Sequence, residues 1–154
     1  MRRLQPWHEN LRKRQVKSPK VYLADSGVLH TLLGLDTLAD VERHPKVGAS
    51  WEGFALSAVV HVLRALPEEC FFWRTHTGAE LDLLVVHGRT RLGFEFKRSD
   101  APTVTPSMRM ALEDLHLHRL DVVHAGHRTF PMGAKLRAVA LEHLLEDVEP
   151  IRTG

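Results

Sequence analysis

Glu80-Leu-Asp-Leu-Leu-Val-Val86 and Arg91-Leu-Gly-Phe-Glu-Phe-Lys97, joined by His87-Gly-Arg-Thr90, decide the fold of this chain. Side chains on a strand alternate faces with period two. On the second run Glu95 and Lys97 therefore point one way, and Leu92, Phe94 and Phe96 point the other. On the first, Asp82 shares a face with Glu80 and Leu84, with Leu81, Leu83 and Val85 opposite. The connection is short and contains Gly88, which suits a hairpin. Pairing the runs is expected to set Asp82, Glu95 and Lys97 side by side.

Two carboxylates and an ammonium on one sheet face suit a Mg²⁺- or Mn²⁺-dependent phosphodiesterase. The carboxylates hold a hard cation, and the lysine steadies the attacking water or the developing phosphate charge. An ordinary wet face of an antiparallel hairpin accounts for the same residues without chemistry. Spacing alone leaves both readings open.

Working outward, Cys70 to Thr75 contains a strand, Phe71–Thr75, and Gly78 lets the chain turn before the Asp82 run. Upstream, residues 48–66 read as a long helix stopped by Pro67. Glu52 lies in its apolar stripe with Ala55, Leu56, Val59, Leu63 and Leu66. A carboxylate there is costly without a partner; the alternative is a solvated glutamate near the helix start. Downstream come a helix over 105–117 after Pro102 and Pro106, a strand over 121–125, a short strand over 136–139 and a terminal helix over 141–147. Residues 149–154 are expected to fray. Val21–Ala24 is a short strand candidate. Asp25 or Ser26 can cap a helix reaching Leu33, and Asp36 or Thr37 a shorter one broken at His44-Pro45.

Four stretches occur in order: Pro19-Lys-Val-Tyr-Leu-Ala-Asp-Ser-Gly27, Gly48-Ala-Ser-Trp-Glu-Gly-Phe54, Trp73-Arg-Thr-His-Thr-Gly-Ala-Glu-Leu-Asp82 and Phe94-Glu-Phe-Lys97. Together they resemble the C-terminal domain of unknown function carried by a family of prokaryotic AAA+ ATPases. The Asp, then Glu-x-Lys, arrangement resembles the PD-(D/E)XK or restriction-endonuclease-like superfamily. The likeness spans roughly residues 4–145. It implies an α/β fold with an α-β-β-β-α-β core and helices on both faces of a small mixed sheet. It also implies a metal site of Glu52, Asp82 and Glu95, with Asp82, Glu95 and Lys97 catalytic and the Phe96 carbonyl a further oxygen donor. DNA or RNA is the implied partner, as is an ATPase portion. No G-x-x-x-x-G-K-[ST] phosphate loop occurs in this chain. The rival reading is a non-catalytic module that docks nucleic acid, a protein or the ATPase.

The composition sets bounds. The chain has 154 residues, enough for one core. The single cysteine, Cys70, excludes an internal disulfide and a cysteine-based zinc site, and reads as a small buried residue. No membrane-spanning run or signal peptide is legible, and a cytoplasmic location is expected. The net charge of +2 hides an asymmetry: Arg2, Arg3, Arg12, Lys13, Arg14, Lys17 and Lys20 face only Glu9 within the first twenty residues. This basic arm, with Arg12, Lys13 and Arg14 at its centre, is positioned to meet nucleic-acid phosphates, or is simply a solvated linker. Residues 21–148 then form the domain and 149–154 a tail. Arg74 and Arg98 are further candidates for phosphate contact. The eleven histidines read as scattered surface residues, since no His-x-x-x-His pair occurs. Glu80 is placed beside the site as an outer contact, and Gly93 is expected to leave the cleft open.

Overall fold

The computed structural model describes residues 2–8, 18–22, 37–44 and 47–153. These form a mixed α/β architecture around an eight-stranded sheet. The strands are β1 (Arg2–Pro6), β2 (Lys20–Tyr22), β3 (Cys70–Arg74), β4 (Glu80–His87), β5 (Thr90–Lys97), β6 (Arg119–His124), β7 (Phe130–Gly133) and β8 (Leu136–Ala140). Their order across the sheet is β2-β1-β3-β4-β5-β6-β8-β7. The described helices are α1 (Leu38–Arg43), α2 (Val47–Leu63), α3 (Pro106–Asp114) and α4 (Leu144–Asp147), with 3-10 turns at Pro67–Glu69 and Leu141–His143.

The central hairpin forms as the alternation requires. Strand β4 pairs antiparallel with β5 from His87–Thr90 to Leu83–Phe94. Gly88 has a φ of 59°, the positive value that the first position of a two-residue hairpin turn favours. Strand β6 then joins β5 in parallel, as it must when a helix makes the crossover. Strand β8 continues the parallel run beside β6.

Two cores flank the sheet. Ala55, Leu56, Val59 and Leu63 of α2 pack with Phe72, Leu83, Val85, Phe94 and Phe96 on one face. Met108 and Ala111 of α3 pack with Trp73, Leu81, Leu84, Leu120 and Val122 on the other. Helix α3 is capped by the Thr105 hydroxyl, which accepts from Met108 N–H at 3.3 Å, and Pro106 occupies its first turn. Thr37 and Asp40 form a reciprocal cap on α1, each side chain bonding the other's backbone N–H at 3.1 Å.

The structure departs from the sequence reading in several places. Leu81 and Leu84 lie in one core while Leu83 and Val85 lie in the other, so alternation fails at Asp82. The β3–β4 register explains this: Trp73 faces Leu81 but Phe71 faces Leu84, leaving one extra residue on β4. That is a bulge, and periodicity alone cannot reveal it. Helix α2 ends at Leu63 rather than Leu66, because Arg64 adopts a φ of 57° and Ala65 N–H closes back onto the Val60 carbonyl at 3.1 Å. The tail is docked where fraying was expected: Ile151 N–H donates to the Leu63 carbonyl at 3.0 Å, and Arg152 binds Glu69 and the Arg64 carbonyl. Strands β1 and β7 lacked a legible pattern, yet Leu4 of β1 is buried in the α2-side core. Finally, His124 is fully buried rather than on the surface, facing the Arg128 carbonyl at 2.8 Å and accepting from Gly126 N–H at 3.1 Å.

Candidate functional site: a carboxylate pair at the open end of a hairpin

Where the bulge interrupts β4, the backbone ladder to β5 stops. Asp82 takes over by side chain: its Oδ2 accepts the Phe96 N–H at 3.0 Å. That bond fixes the Asp82 carboxylate across from Glu95. Asp82 is close enough for its charge to act on the Glu95 carboxyl. Glu95 is 5% exposed, and its Oε1 is buried without a hydrogen-bond partner among the described residues. Its other oxygen, Oε2, lies 3.9 Å from Lys97 Nζ, and the lysine is half exposed at the strand end. Burial first, then the neighbouring Asp82 charge, push the Glu95 pKa well above the carboxylate range, and Lys97 only partly opposes them. Two ionised carboxylates are both pure acceptors. A proton or a cation between them is what such a pair requires.

Glu52 reaches this field from α2. Its pKa is raised by burial and by Asp82, and lowered by Lys97 and Lys20. Asp82 and Lys97 each act on Glu52 as well as on Glu95. The set does not close fully: among the described residues no three His, Cys, Asp or Glu side chains are grouped tightly enough to hold a metal ion. The pair Asp82–Glu95, with the nearby backbone, is the part that converges.

The other candidates disperse. Glu80 is held by Arg74, whose Nε and terminal nitrogen donate to Glu80 Oε2 at 3.1 and 2.8 Å, so Arg74 is an exposed ion-pair partner here. Arg98 is exposed just past β5. Arg12, Lys13 and Arg14 lie outside the described residues, as does Asp25. Gly93 does not open a cleft: a Cβ there would meet Leu117 Cδ1 at 2.6 Å and Leu81 Cδ2 at 3.2 Å, so it permits close core packing. Cys70 is buried as expected, its thiol pushed up to about 11 chiefly by burial.

Sequence reasoning missed Tyr22 and Lys20. Burial and the charges of Asp82, Glu52, Glu95 and Glu80 raise the Tyr22 phenol, which places it against the acidic cluster from β2. Lys20 Nζ sits 5.2 Å over the Phe72 ring and its charge reaches Glu52. Both fall inside the Pro19–Gly27 stretch that carried the resemblance, but nothing in their spacing pointed to the β4–β5 hairpin, because β2 reaches it only through β1 and β3.

A sheet of this order, with its acidic pair at the open end of the central hairpin, defines a mixed α/β domain with one candidate site. The chain belongs to the DUF4143 family, a domain of unknown function, which matches residues 47–144. A second domain of unknown function, DUF8612, matches residues 1–39. The candidate site draws on both segments, Tyr22 from the first and Glu52, Asp82, Glu95 and Lys97 from the second. The chain is 46% identical over 145 residues to an uncharacterized protein of Mycobacterium bovis and equally to one of Mycobacterium tuberculosis. Each alignment covers 94% of this chain and 32% of the relative, so the chain spans about a third of those proteins. No solved structure matches the chain significantly.

Proposed function

We propose that this chain is a nuclease-like domain with a restriction-endonuclease-like core, acting on a nucleic-acid phosphodiester with Mg²⁺ or Mn²⁺. The observation that carries the reading is the Asp82–Glu95 pair, with one Glu95 oxygen buried and unpartnered among the described residues and Lys97 beside the other. The run α2-β3-β4-β5-α3-β6 supports it, since this is the α-β-β-β-α-β order that the resemblance implies.

The donor set is chemically suited to a hard cation: carboxylate oxygens from Asp82 and Glu95, with Glu52 contributing directly or through water and the Phe96 carbonyl available as a further ligand. A bound cation would supply Lewis-acid polarisation of the phosphate and a more acidic water. The protein's own residues do the rest. The Phe96 N–H holds Asp82 in place, Lys97 orients the nucleophile and meets the charge developing on phosphate, and Tyr22 offers a phenol hydrogen bond at the same mouth. The ATPase portion of a longer protein is the proposed partner of the domain, and Arg12, Lys13, Arg14 and Arg98 its proposed nucleic-acid contacts.

The test combines binding with turnover. Mn²⁺ titrated into wild type should release heat and raise the melting temperature by mass action, whereas Asp82→Ala should respond to neither. Linear, branched and single-stranded DNA and RNA should be cut only with Mg²⁺ or Mn²⁺, and Lys97→Ala should abolish cutting while retaining Mn²⁺ binding. Cleavage that survives in Lys97→Ala refutes the assignment. The rival reading, a non-catalytic docking module, is favoured by the incomplete grouping of the three carboxylates. It calls for salt-sensitive nucleic-acid binding without turnover.

A further inference from the structure

At the opposite end of β6 from Lys97 the surface folds inward around a second cluster. A cavity of about 390 Å³ is lined by Leu92, His118, Arg119, Pro131, Lys135 and Arg137, among others. Three cations line it and no acidic residue does. Beneath it lies Asp121, fully buried, which holds both guanidiniums: Arg137 Nε donates to its Oδ1 at 2.8 Å and Arg119 Nε to its Oδ2 at 3.0 Å. Arg137 also donates from one terminal nitrogen to Asp121 and to the Asp147 carbonyl. The two terminal nitrogens of Arg119, one of Arg137 and the ammonium of Lys135 have no partner among the described residues.

Asp121, with the charge of Asp147 also acting on Arg137, faces three cations, so the concave site stays net positive and its arginine donors are already oriented. His118 is oriented too, because its Nδ1 accepts the Arg91 N–H at 3.1 Å, which leaves Nε2 as the ring's donor. Lys135 is carried on a pinned turn, its carbonyl accepting Leu120 N–H at 2.8 Å. Leu92, Pro131, Ala134 and Leu136 give the cavity an apolar wall. Its volume lies within the range of small-molecule sites, about 300–1,000 Å³.

We propose that this cavity binds a small phosphate-bearing molecule of nucleotide size, its phosphate on Arg119, Arg137 and Lys135 and its body along the Leu92–Pro131 wall. Forked guanidiniums match phosphate oxygens bidentately. The cavity is open to solvent, and its volume of about 390 Å³ beside an apolar wall suits one compact ligand. The site is separate from the carboxylate pair: Arg119 is in register with Leu92 and His124 with Lys97, a separation of about 16 Å along the strands. It therefore does not depend on the nuclease reading.

The experiment titrates adenosine monophosphate, inorganic phosphate, adenosine and a 5′-phosphorylated trinucleotide into the protein in EDTA, read by NMR shifts and calorimetry. Adenosine monophosphate should saturate below about 1 mM, with shifts at Arg119, Lys135 and Arg137. Inorganic phosphate should bind more weakly at the same residues, and adenosine not at all. Arg119→Gln should weaken the affinity about tenfold and the exposed Lys135→Ala about threefold. Asp82→Asn should leave it unchanged. Arg119→Gln keeps Arg137 on Asp121, and Lys135→Ala alters no packed residue, so at least one variant reports on a folded protein. No saturable shift by about 10 mM, equal affinity for adenosine, indifference to both variants, or binding of the trinucleotide alone would each overturn the proposal.

Discussion

Two carboxylates are buried in this sheet, and they are treated oppositely. Asp121 is fully buried, and both its oxygens are filled by arginine donors. Glu95 is nearly as buried, yet among the described residues one of its oxygens has no partner and its charged neighbours include another acid. Leaving a buried charge uncompensated is expensive, so a pair such as Arg137–Asp121 is what a fold builds when it needs only itself. The Glu95 end is built differently. Its compensation is left to something that binds, a proton or a cation, and this contrast is the strongest reason for locating function at the open hairpin.

Breaking the compensated carboxylate should have the largest effect. Among the described residues, Arg137→Ala strips the only donor from Asp121 Oδ1 and removes the bond to the Asp147 carbonyl, leaving Arg119 Nε on the other oxygen. A loss of about 3 kcal/mol in unfolding free energy is expected, since one partner of a buried pair is removed without the other. Denaturant titration measures it. A loss below about 1 kcal/mol would mean that Asp121 is solvated in practice and the contrast with Glu95 is false.

The uncompensated carboxylate should behave with the opposite sign. The Glu95 pKa is raised on folding, first by burial and then by Asp82, so the native state binds more protons than the unfolded chain. Stability then falls as pH rises past the ordinary carboxylate value near 4.3, and the loss continues up to the folded pKa. Glu95→Gln removes the ionisation and should stabilise the protein at pH 7–8 by about 1–2 kcal/mol, with no gain at pH 4. Melting curves across pH test this. A variant that is less stable than wild type at neutral pH would show that Glu95 is satisfied after all.

How much of this was legible in the sequence follows from what local pattern can encode. The β4–β5 hairpin and the shared direction of Glu95 and Lys97 come from period-two alternation around a Gly turn, which is a local signal. Glu52 was legible because a helical stripe placed it on the core-facing side. The bulge at Asp82 was not legible, because an extra residue leaves the apolar composition of β4 unchanged and only the β3 register exposes it. Strands β1 and β7 are short edge or near-edge segments containing Pro6 and Pro131, and their pairing comes from partners distant in sequence. The Arg119–Asp121–Arg137 cluster was equally hidden. Asp121 reads as the start of an apolar strand, and its two partners meet it only because β8 lies parallel to β6 in register. Arg152 was assigned to a fraying tail because its partner, Glu69, is remote in sequence.

At the hairpin mouth a smaller effect separates position from charge. Asp82→Ala should destabilise by about 1–2 kcal/mol, because the Phe96 N–H loses its acceptor in a partly buried setting. Asp82→Asn keeps a carbonyl oxygen there and should recover most of that loss. Thermal melts of the pair decide the matter. Equal losses in both variants would mean that the bond from the Phe96 N–H does not account for the loss.

The smallest effect belongs to the clasp that docks the chain end, and it sharpens the contrast by adding a third carboxylate, one compensated nearer the surface. Glu69 binds Arg152, accepts the Leu66 N–H at 2.8 Å and faces His87 Nδ1 at 2.8 Å. The Arg152 hydrogen bonds lead in holding its pKa down at about 2. A depressed carboxylate contributes stability above its unfolded pKa near 4.3, and that stability is lost as pH falls towards about 2. Arg152→Ala should therefore lower the melting temperature slightly at neutral pH, and the difference from wild type should shrink through that acid window. Glu69 lies nearer solvent than the fully buried Asp121, so solvent screens this pair more and the neutral-pH shift should be the smallest of the series. Hydrogen exchange adds a local readout. The Ile151 amide, bonded to the Leu63 carbonyl, should exchange faster in Arg152→Ala while the β4–β5 amides keep their protection. Unchanged exchange at Ile151 would show that the 149–154 segment docks through Ile151 packing without help from the ion pair.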